Sequence, residues 1–313
     1  MSEFIPEARA ARGPAALLRA PWLRLVLAFF AVYVIWGSTY LAIRFAIESI
    51  PPFFMAAARN LLAGALLLAW AWLRGAPMPR RIHWREAAIV GGFMLLGGNG
   101  GVTWSEQQVP SGLVALLVAA TPLWMVLLGA ILPGGTRPNR RTLAGVAVGL
   151  AGVWLLAGTG REIGGARLSA FSVAVVLLAT LSWAAGSLYS RRATLPADPI
   201  QGTGMEMLSG GAFLLLASAA GGEWGQIDLS AVSLRSGLAL AYLVVFGSMV
   251  AFTAYLWLLR NTTPTRAATY AYVNPVVAVL LGWALAAEPL AAHTLLAAAV
   301  ILGGVALITT GQR

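Results

Sequence analysis

A polar stretch interrupts an apolar part of the chain at residues 98–112, which read GNGGVTWSEQQVPSG. Asn99, Thr103 and Glu106 follow one another at i, i+4 and i+7, so a helix would place all three on one face. An amide, a hydroxyl and a carboxyl on one helix face can bind a polar solute or carry a proton. The glycines also allow a phosphate-binding loop, but a nucleotide loop needs a lysine between a strand and a helix. The chain contains no lysine, so we predict a solute-binding stripe.

Two further charged residues lie within apolar runs, Arg59 about two turns into the second run and Glu206 equally deep in the seventh. Charged groups inside membrane helices are functional candidates because burying them is costly. A carboxyl in a low-dielectric site has its charged form disfavoured, so Glu106 and Glu206 are candidates to bind a coupling proton. Facilitated movement without a coupling ion is equally compatible with the sequence. Two alternatives stay open: Glu106 and Gln107 cap a helix at the headgroups, and Arg59 snorkels to the interface.

Chemistry that needs cysteine or a metal cluster finds no support in the sequence. There is no Cys, and the two His, His83 and His293, lie in short polar segments without a second ligand at metal-binding spacing. We therefore predict no catalytic residues, no metal site and no cofactor.

The composition indicates which elements must position these polar groups. The chain has 313 residues, of which 59% are hydrophobic and 10% charged, whereas soluble proteins carry about 25% charged residues. A helix needs about 20 apolar residues to cross a bilayer core of ~30 Å. The sequence offers such runs at 23–43, 53–73, 86–106, 111–132, 141–158, 168–190, 200–220, 235–258, 265–287 and 290–310.

The net charge of +10 comes from arginines, most of which fall in alternate loops between these runs. Under the positive-inside rule this alternation predicts a cytoplasmic N-terminus and a cytoplasmic C-terminus. Residues 1–22 are basic and have no apolar core of their own, so we expect a cytoplasmic tail rather than a cleaved signal peptide. The arginines are spread between apolar runs instead of forming one basic face, and we predict no nucleic-acid partner.

The chain repeats itself, and the matching residues keep a nearly constant separation. The matched pairs are Trp36 with Trp183, Pro52 with Pro199, Gly64 with Gly211, Gly97 with Gly247, and Thr103 with Thr253. We predict two units, 23–160 and 161–313, each of five helices. Because five is odd, the second unit enters the membrane from the opposite side. Inverted repeats of this kind are common in secondary transporters, where the substrate site lies near the midplane between the repeats.

The segments VIWGSTYLAIRFAI, PPFFMAAARNLLAGALLL, WSEQQVPSGLVALLVAATPLW and YVNPVVAVLLGWALAAEPL resemble EamA-type members of the drug/metabolite transporter superfamily over about 22–310. The resemblance implies an all-α polytopic membrane protein with ten transmembrane helices as two inverted five-helix repeats. It also implies export or exchange of small metabolites, often amino acids, through a central cavity that helices 5 and 10 do not line. Glu288 departs from the repeat because the first half has no acid at the matching place.

Helix-breaking and aromatic residues complete the predicted site. Pro122 and Pro275 each free a backbone carbonyl, so each is either a hinge or a static kink. The aromatic residues as a set would suit planar or cationic substrates. The predicted substrate-binding residues are Trp36, Ser38, Tyr40, Asn99, Thr103, Trp104, Glu106, Gln107, Trp183, Tyr255, Tyr270 and Asn274. The predicted coupling or gating residues are Glu106, Glu206, Arg59, Pro122 and Pro275.

Together these observations predict a secondary transporter in the cell inner membrane, an exporter or exchanger that works by alternating access. Small organic metabolites such as amino acids or drug-like cations are the expected substrates, with a proton as the candidate coupling ion. The expected partners are the solute and the lipid bilayer, and both monomer and homodimer stay open. The alternative is a non-transporting membrane scaffold or an intramembrane enzyme, which would require a convergent catalytic set.

Overall fold

A computed structural model of the chain describes residues 21–132, 139–158, 162–163, 166–167, 169–288 and 292–311. Most of the predicted tail at 1–22 lies outside the described residues, as do Arg137, Arg161 and Arg313, on which part of the predicted topology depends. The side chain of His293 is likewise outside the described part of the chain.

The first half of the described chain forms five helices, some of them divided into segments. Helix α1 comprises Pro21–Phe30, a π-helical segment Ala31–Ile35, and Trp36–Ala46, and α2 is Pro52–Leu73. Helix α3 comprises Arg81–Gly91, a π-helical segment Gly92–Gly100, and Gly101–Ser105. Helix α4 comprises Ser111–Val118 and Thr121–Ile131, and α5 is Arg140–Gly158.

The second half has the same order of elements. Helix α6 is Ala170–Ser190 and α7 is Pro199–Ala220, followed by short 3-10 turns at Glu223–Gln226 and Leu229–Ala231. Helix α8 comprises Leu234–Tyr242, a π-helical segment Leu243–Phe252, and Thr253–Asn261. Helix α9 comprises Pro264–Ala267 and Tyr270–Ala286, and α10 is Ala292–Gly311.

Each apolar run that the sequence predicted coincides with a helix, with ends that differ by a few residues. The one non-helical element in the described residues is a small hairpin between α5 and α6, in which β1 (Glu162–Ile163) pairs antiparallel with β2 (Ala166–Arg167). Helix α6 begins at Ala170, whereas the predicted start of the sixth run, residue 168, lies outside the described residues.

Six helices in the described residues are long and apolar enough to cross a membrane: Trp22–Ala46, Pro52–Leu73, Ser111–Ile131, Ala170–Ser190, Pro199–Ala220 and Leu234–Asn261. Two shorter apolar helices are Val273–Ala286 and Leu295–Gly304. Large hydrophobic side chains such as Trp70, Trp154 and Trp283 are exposed on the outside of the bundle. Such a surface fits contact with lipid, because soluble proteins rarely expose large apolar patches.

Glycines allow the helices to approach closely at two contacts. A Cβ added to Gly64 of α2 would lie 2.9 Å from the Gly204 carbonyl oxygen of α7. A Cβ on Gly304 of α10 would lie 2.5 Å from the Gly149 nitrogen of α5. Small residues at helix contacts are typical of membrane bundles, where close packing drives association. Helices α5 and α10 thus form a tightly packed pair.

Candidate functional site

A cavity lies at the centre of the bundle, and its unfilled space is about 660 Å³ including the part open to solvent. Its walls come from α1, α2, α3, α4, α6, α7, α8 and α9, while no described side chain of α5 or α10 lines it. The polar and aromatic lining residues are Trp36, Thr39, Tyr40, Arg59, Asn60, Asn99, Thr121, Thr180, Trp183, Ser248, Phe252 and Tyr270.

Trp36 and its aromatic neighbours form one wall of the cavity. The Trp36 ring lies 5.5 Å from that of Trp183, 4.9 Å from that of Tyr255 and 5.4 Å from that of Tyr270, measured between centroids. Its indole Nε1 donates to the Gly247 carbonyl at 3.0 Å, in the π-helical segment of α8. The wall therefore joins α1 of the first half to α6, α8 and α9 of the second half. Tyr255 lies behind this wall, where its hydroxyl is 2.9 Å from Ser187 Oγ.

Arg59 supplies a positive charge to the cavity. Its side chain is 5% exposed, and its Nε donates to Ser248 Oγ at 2.7 Å. Its Nη1 is buried and has no hydrogen-bond partner. The side chain turns towards the centre of the bundle, and this direction does not fit the snorkelling alternative.

Glu106 is fully buried at the end of α3, and both of its carboxylate oxygens lack a hydrogen-bond partner. Its backbone oxygen accepts a hydrogen bond from the guanidinium of Arg44. The carboxylate lies within electrostatic range of Arg44, Arg59 and Glu288. It does not line the cavity, although Val102, one turn earlier, does. An unpaired buried carboxylate is costly unless it is protonated or balanced by a nearby charge.

Glu206 of α7 is a second buried carboxylate whose oxygens lack a partner. It lies outside the cavity lining, although the next residue, Met207, contributes to it. Arg260 of α8 is the arginine within electrostatic range. Glu206 and Arg59 form no ion pair with each other among the described residues, and each has a group of α8 nearby instead, Arg260 and Ser248 respectively.

Asn274 contacts the backbone of another helix. In the amide orientation that satisfies its neighbours, its Nδ2 donates to the carbonyls of Val32 (3.1 Å), Tyr33 (2.9 Å) and Tyr270 (3.2 Å). Val32 and Tyr33 belong to the π-helical segment of α1, whose irregular winding leaves carbonyls in need of donors. The side chain that we predicted to bind substrate therefore ties α9 to α1, and it is not among the residues that line the cavity.

Replacing Asn274 by Ala is expected to destabilise the protein by about 1–3 kcal/mol, because it leaves buried carbonyls without a donor. Thermal unfolding of the purified protein in detergent measures this change. Asn261→Ala is the matched control, since Asn261 Nδ2 donates to Trp257 O at an exposed position. Equal melting temperatures for the two variants would contradict the structural role of Asn274.

The remaining predicted substrate-binding residues are divided between the cavity and its surroundings. Ser38 Oγ lies 2.6 Å from the Tyr242 hydroxyl and does not line the cavity. Thr103 is fully buried with an unpartnered hydroxyl. Trp104 packs edge-on against Phe171, and exposed Gln107 donates to the Trp104 carbonyl. Of the predicted binding residues, the cavity brings together Trp36, Tyr40, Asn99, Trp183 and Tyr270.

The sequence interpretation missed several lining residues, which are Thr39, Asn60, Thr121, Thr180, Ser248 and Phe252. Helical spacing offered a signal for some of them. Thr180 precedes Trp183 by three residues and therefore shares its face of α6, and Thr39 has the same spacing from Trp36 on α1. Ser248 is next to Gly247, which the sequence repeat pairs with Gly97.

Two carboxylates from the second half cap helices of the first half at one end of the bundle. Glu223 accepts hydrogen bonds from the backbone nitrogens of Phe53 (3.0 Å) and Phe54 (2.8 Å) at the start of α2. Glu288 accepts from the backbone nitrogens of Ser111 (2.9 Å) and Gly112 (3.2 Å) at the start of α4. A carboxylate stabilises a helix N-terminus because it satisfies free N–H groups and the helix dipole. Each cap joins a residue of the second half to a helix of the first half. Glu288 does so although the first half has no acid at the matching place of the repeat.

The two predicted hinge prolines occupy different positions in their helices. Pro122 lies in the first turn of a new segment of α4, where proline is well tolerated, whereas Pro275 lies inside a continuous segment of α9. Both α4 and α9 are nevertheless interrupted, after Val118 and after Ala267. In the described residues, no group of three or more His, Cys, Asp or Glu side chains could hold a metal ion.

The chain is similar to a family of known transporters. The model of the EamA-like transporter family matches residues 23–158 and again residues 170–310. The chain is 43% identical over 287 residues to YedA of Escherichia coli K12, an uncharacterized inner membrane transporter, covering 91% of this chain and 90% of that protein. It is 29% identical to a WAT1-related chloroplastic protein of Arabidopsis thaliana, covering 92% of this chain and 69% of that protein.

A solved crystal structure with 23% sequence identity aligns with a TM-score of 0.67, covering 93% of this chain and 99% of that chain. This likeness supports the fold alone. The apolar helices and the inner membrane relative identify a multi-pass membrane protein. With the family model matching both halves, the chain belongs to the EamA-like transporter family.

Proposed function

We propose that the protein is a secondary transporter that moves small organic solutes by alternating access through the central cavity. The observation that carries this proposal is the cavity itself, which is lined by a charged side chain, several hydrogen-bonding side chains and several aromatic rings. It is enclosed by eight helices drawn from both halves of the chain. Substrate sites between two repeated halves are typical of secondary transporters.

The proposed architecture is ten membrane spans arranged as two inverted repeats. Two separate matches to the family model, over residues 23–158 and 170–310, support the duplication. Trp36 and Trp183, which occupy equivalent places in the two halves, pack 5.5 Å apart at the cavity wall. Contact between equivalent residues is expected where a pseudo-twofold axis passes between the halves. During alternating access, the two halves would then move relative to each other about this contact, so that the cavity closes to one side of the membrane and opens to the other.

The proposed orientation places both chain ends in the cytoplasm, and single cysteines test it because the chain has none. A membrane-impermeant maleimide added to intact cells is expected to label Gly225→Cys, in the segment between α7 and α8. It is expected to leave Arg80→Cys and Arg313→Cys unlabelled until the cells are permeabilised. Labelling of Arg80→Cys in intact cells would contradict the orientation.

The proposed hinges are testable through the two prolines. Pro275→Ala is expected to slow transport several-fold while changing substrate affinity less, because conformational steps often limit turnover. Pro122→Ala is expected to have a smaller effect, since Pro122 starts a helical segment while Pro275 lies inside one. Initial rates and half-saturation concentrations in proteoliposomes separate the two quantities. If the double variant Pro122→Ala/Pro275→Ala transports at the wild-type rate, neither proline acts as a hinge and both are static kinks.

Flux into proteoliposomes that contain only this protein tests the proposed function against the scaffold and enzyme alternatives. A mixture of labelled organic solutes is offered, and uptake is compared with that of protein-free vesicles. We expect protein-dependent, saturable uptake without chemical change of the solute. Absence of flux for every solute, or recovery of a modified product, would overturn the proposed function.

A further inference from the structure

The guanidinium of Arg59 is a positive charge at the cavity wall that no side chain directly neutralises. Among the lining residues, Arg59 is the one that carries a charge. Among the described residues, Arg59 forms no ion pair, in contrast to Arg235, which pairs with Glu48 on the surface. Glu106 is within electrostatic range but forms no ion pair with Arg59 and does not line the cavity. A buried charge without a partner is costly, so the site favours an anion supplied from the cavity.

The hydrogen bonds of Arg59 show which of its donors are satisfied and which are not. Nε donates a hydrogen bond to Ser248 Oγ at 2.7 Å, and this bond holds the guanidinium in one orientation. The Nη1 atom is buried and unpartnered. A guanidinium fixed in this way presents a planar donor group, which matches a carboxylate better than a spherical ion.

The single positive charge of Arg59 also limits the charge that a bound anion can carry. One guanidinium balances a single negative charge, and a dianion such as a phosphate monoester would leave a second charge uncompensated in a mainly apolar site. No Asp or Glu lines the cavity among the described residues, so an organic cation would meet Arg59 without an opposing carboxylate. The lining therefore selects against both dianions and simple cations.

The rest of the cavity fits an apolar body attached to the carboxylate. Trp36, Trp183, Phe252 and Tyr270 provide aromatic surface, and rings pack favourably on such surfaces. Asn99 adds a buried side-chain oxygen, Oδ1, without a hydrogen-bond partner. This oxygen can accept a hydrogen bond from a solute that also carries an N–H or O–H donor.

We propose that the transported solutes are small organic monocarboxylates with an apolar or aromatic body, and that Arg59 binds their carboxylate. This inference rests on the proposed transport function, and it names the substrate class of the same cavity. Ser248 is a positioning residue, because it holds the guanidinium of Arg59 and acts on the solute through it.

Binding to the purified protein in detergent tests the proposal with four probes that share a similar body. They are 3-phenylpropionate, its neutral amide, 3-phenylpropylamine, and the dianionic phosphate ester of 3-phenylpropanol. We expect the monocarboxylate alone to raise the melting temperature in a saturable way. Equal stabilisation by the amide, the amine or the phosphate ester would overturn the assignment of the substrate class.

Variants at Arg59 assign the binding group. Arg59→Gln is expected to abolish stabilisation by 3-phenylpropionate, and Arg59→Lys to weaken its binding about tenfold, because an ammonium lacks the planar donor pair. Ser248→Ala is expected to weaken binding less than Arg59→Gln. Arg235→Gln is the matched control, since it removes an arginine from a surface ion pair, and it should bind like the wild type.

Folding of each variant is checked by its elution as a single species in size-exclusion chromatography. If Arg59→Gln does not fold, Arg59→Lys and the wild-type probe series decide the proposal. Unchanged binding in a folded Arg59→Gln variant would overturn it. A protein that transports other solutes but fails to bind the monocarboxylate would also overturn this inference while leaving the transport function intact. Monocarboxylate binding without flux of any solute would instead contradict the transport function.

Discussion

Replacing Glu106 by Gln is expected to uncouple transport from the pH gradient while leaving solute exchange intact. Glu106 is fully buried, its two carboxylate oxygens have no hydrogen-bond partner, and it lies outside the cavity lining. Such a carboxyl can exchange a proton without contacting the solute. Gln keeps the size of the side chain and removes the charge, so the electrostatic link to Arg44 and Arg59 is lost.

Proteoliposomes with an imposed pH gradient measure this effect. In the wild type the gradient should accelerate uptake, and in Glu106→Gln the same gradient should have no effect on a preserved exchange rate. Glu48→Gln is the control, because Glu48 belongs to an exposed ion pair with Arg235. Loss of both exchange and coupling would make Glu106 a substrate contact, and retention of both would reduce it to a helix-end residue.

The contact between α3 and α7 is expected to tolerate no side chain larger than hydrogen at Gly91. A Cβ at this position would lie 2.6 Å from the Glu206 carbonyl oxygen and 2.7 Å from the Gly210 nitrogen. Both are backbone atoms, so the helices themselves would have to separate. Gly91→Ala should therefore destabilise the protein by about 1–3 kcal/mol or more. It should also move the segment of α7 that carries Glu206.

Thermal unfolding and the yield of folded protein measure the effect of Gly91→Ala. Gly237→Ala is the control, because a Cβ on Gly237 of α8 would meet nothing within 4 Å. The control should be neutral or slightly stabilising, since Ala favours helix. A Gly91→Ala variant as stable as the control would contradict the close approach of α3 and α7.

The positions of the helices were predictable from the sequence because hydrophobic length is a local property. The face of each helix was less predictable. The spacing of Asn99, Thr103 and Glu106 predicted a single face, yet only Asn99 lines the cavity. Thr103 and Glu106 follow Val102, the last residue of α3 that lines the cavity, and Glu106 also lies beyond the last helical residue, Ser105.

Contacts between segments that are distant in the sequence could not be predicted, because they depend on how the helices wind and pack. Nothing in the residues around Asn274 reveals that α1 contains a π-helical segment whose carbonyls need donors. In the same way, Arg59 could point to the interface or to the centre, and only the position of Ser248 on α8 distinguishes these directions. The tryptophan pair was accessible in part, because the repeat matched Trp36 with Trp183, but their contact depends on how the halves pack.

The central claim is that the cavity opens alternately to the two sides of the membrane, and the accessibility of one introduced cysteine tests it most directly. Thr180 lines the cavity on α6, and Leu178, on the same helix, is 64% exposed on the outer surface of the bundle. Thr180→Cys and Leu178→Cys are each treated with a membrane-impermeant thiol reagent in right-side-out and in inverted vesicles. Alternating access predicts that Thr180→Cys reacts from both sides and that Leu178→Cys, which faces lipid, reacts from neither. Reaction of Thr180→Cys from one side only, in a protein active in transport, would contradict the account.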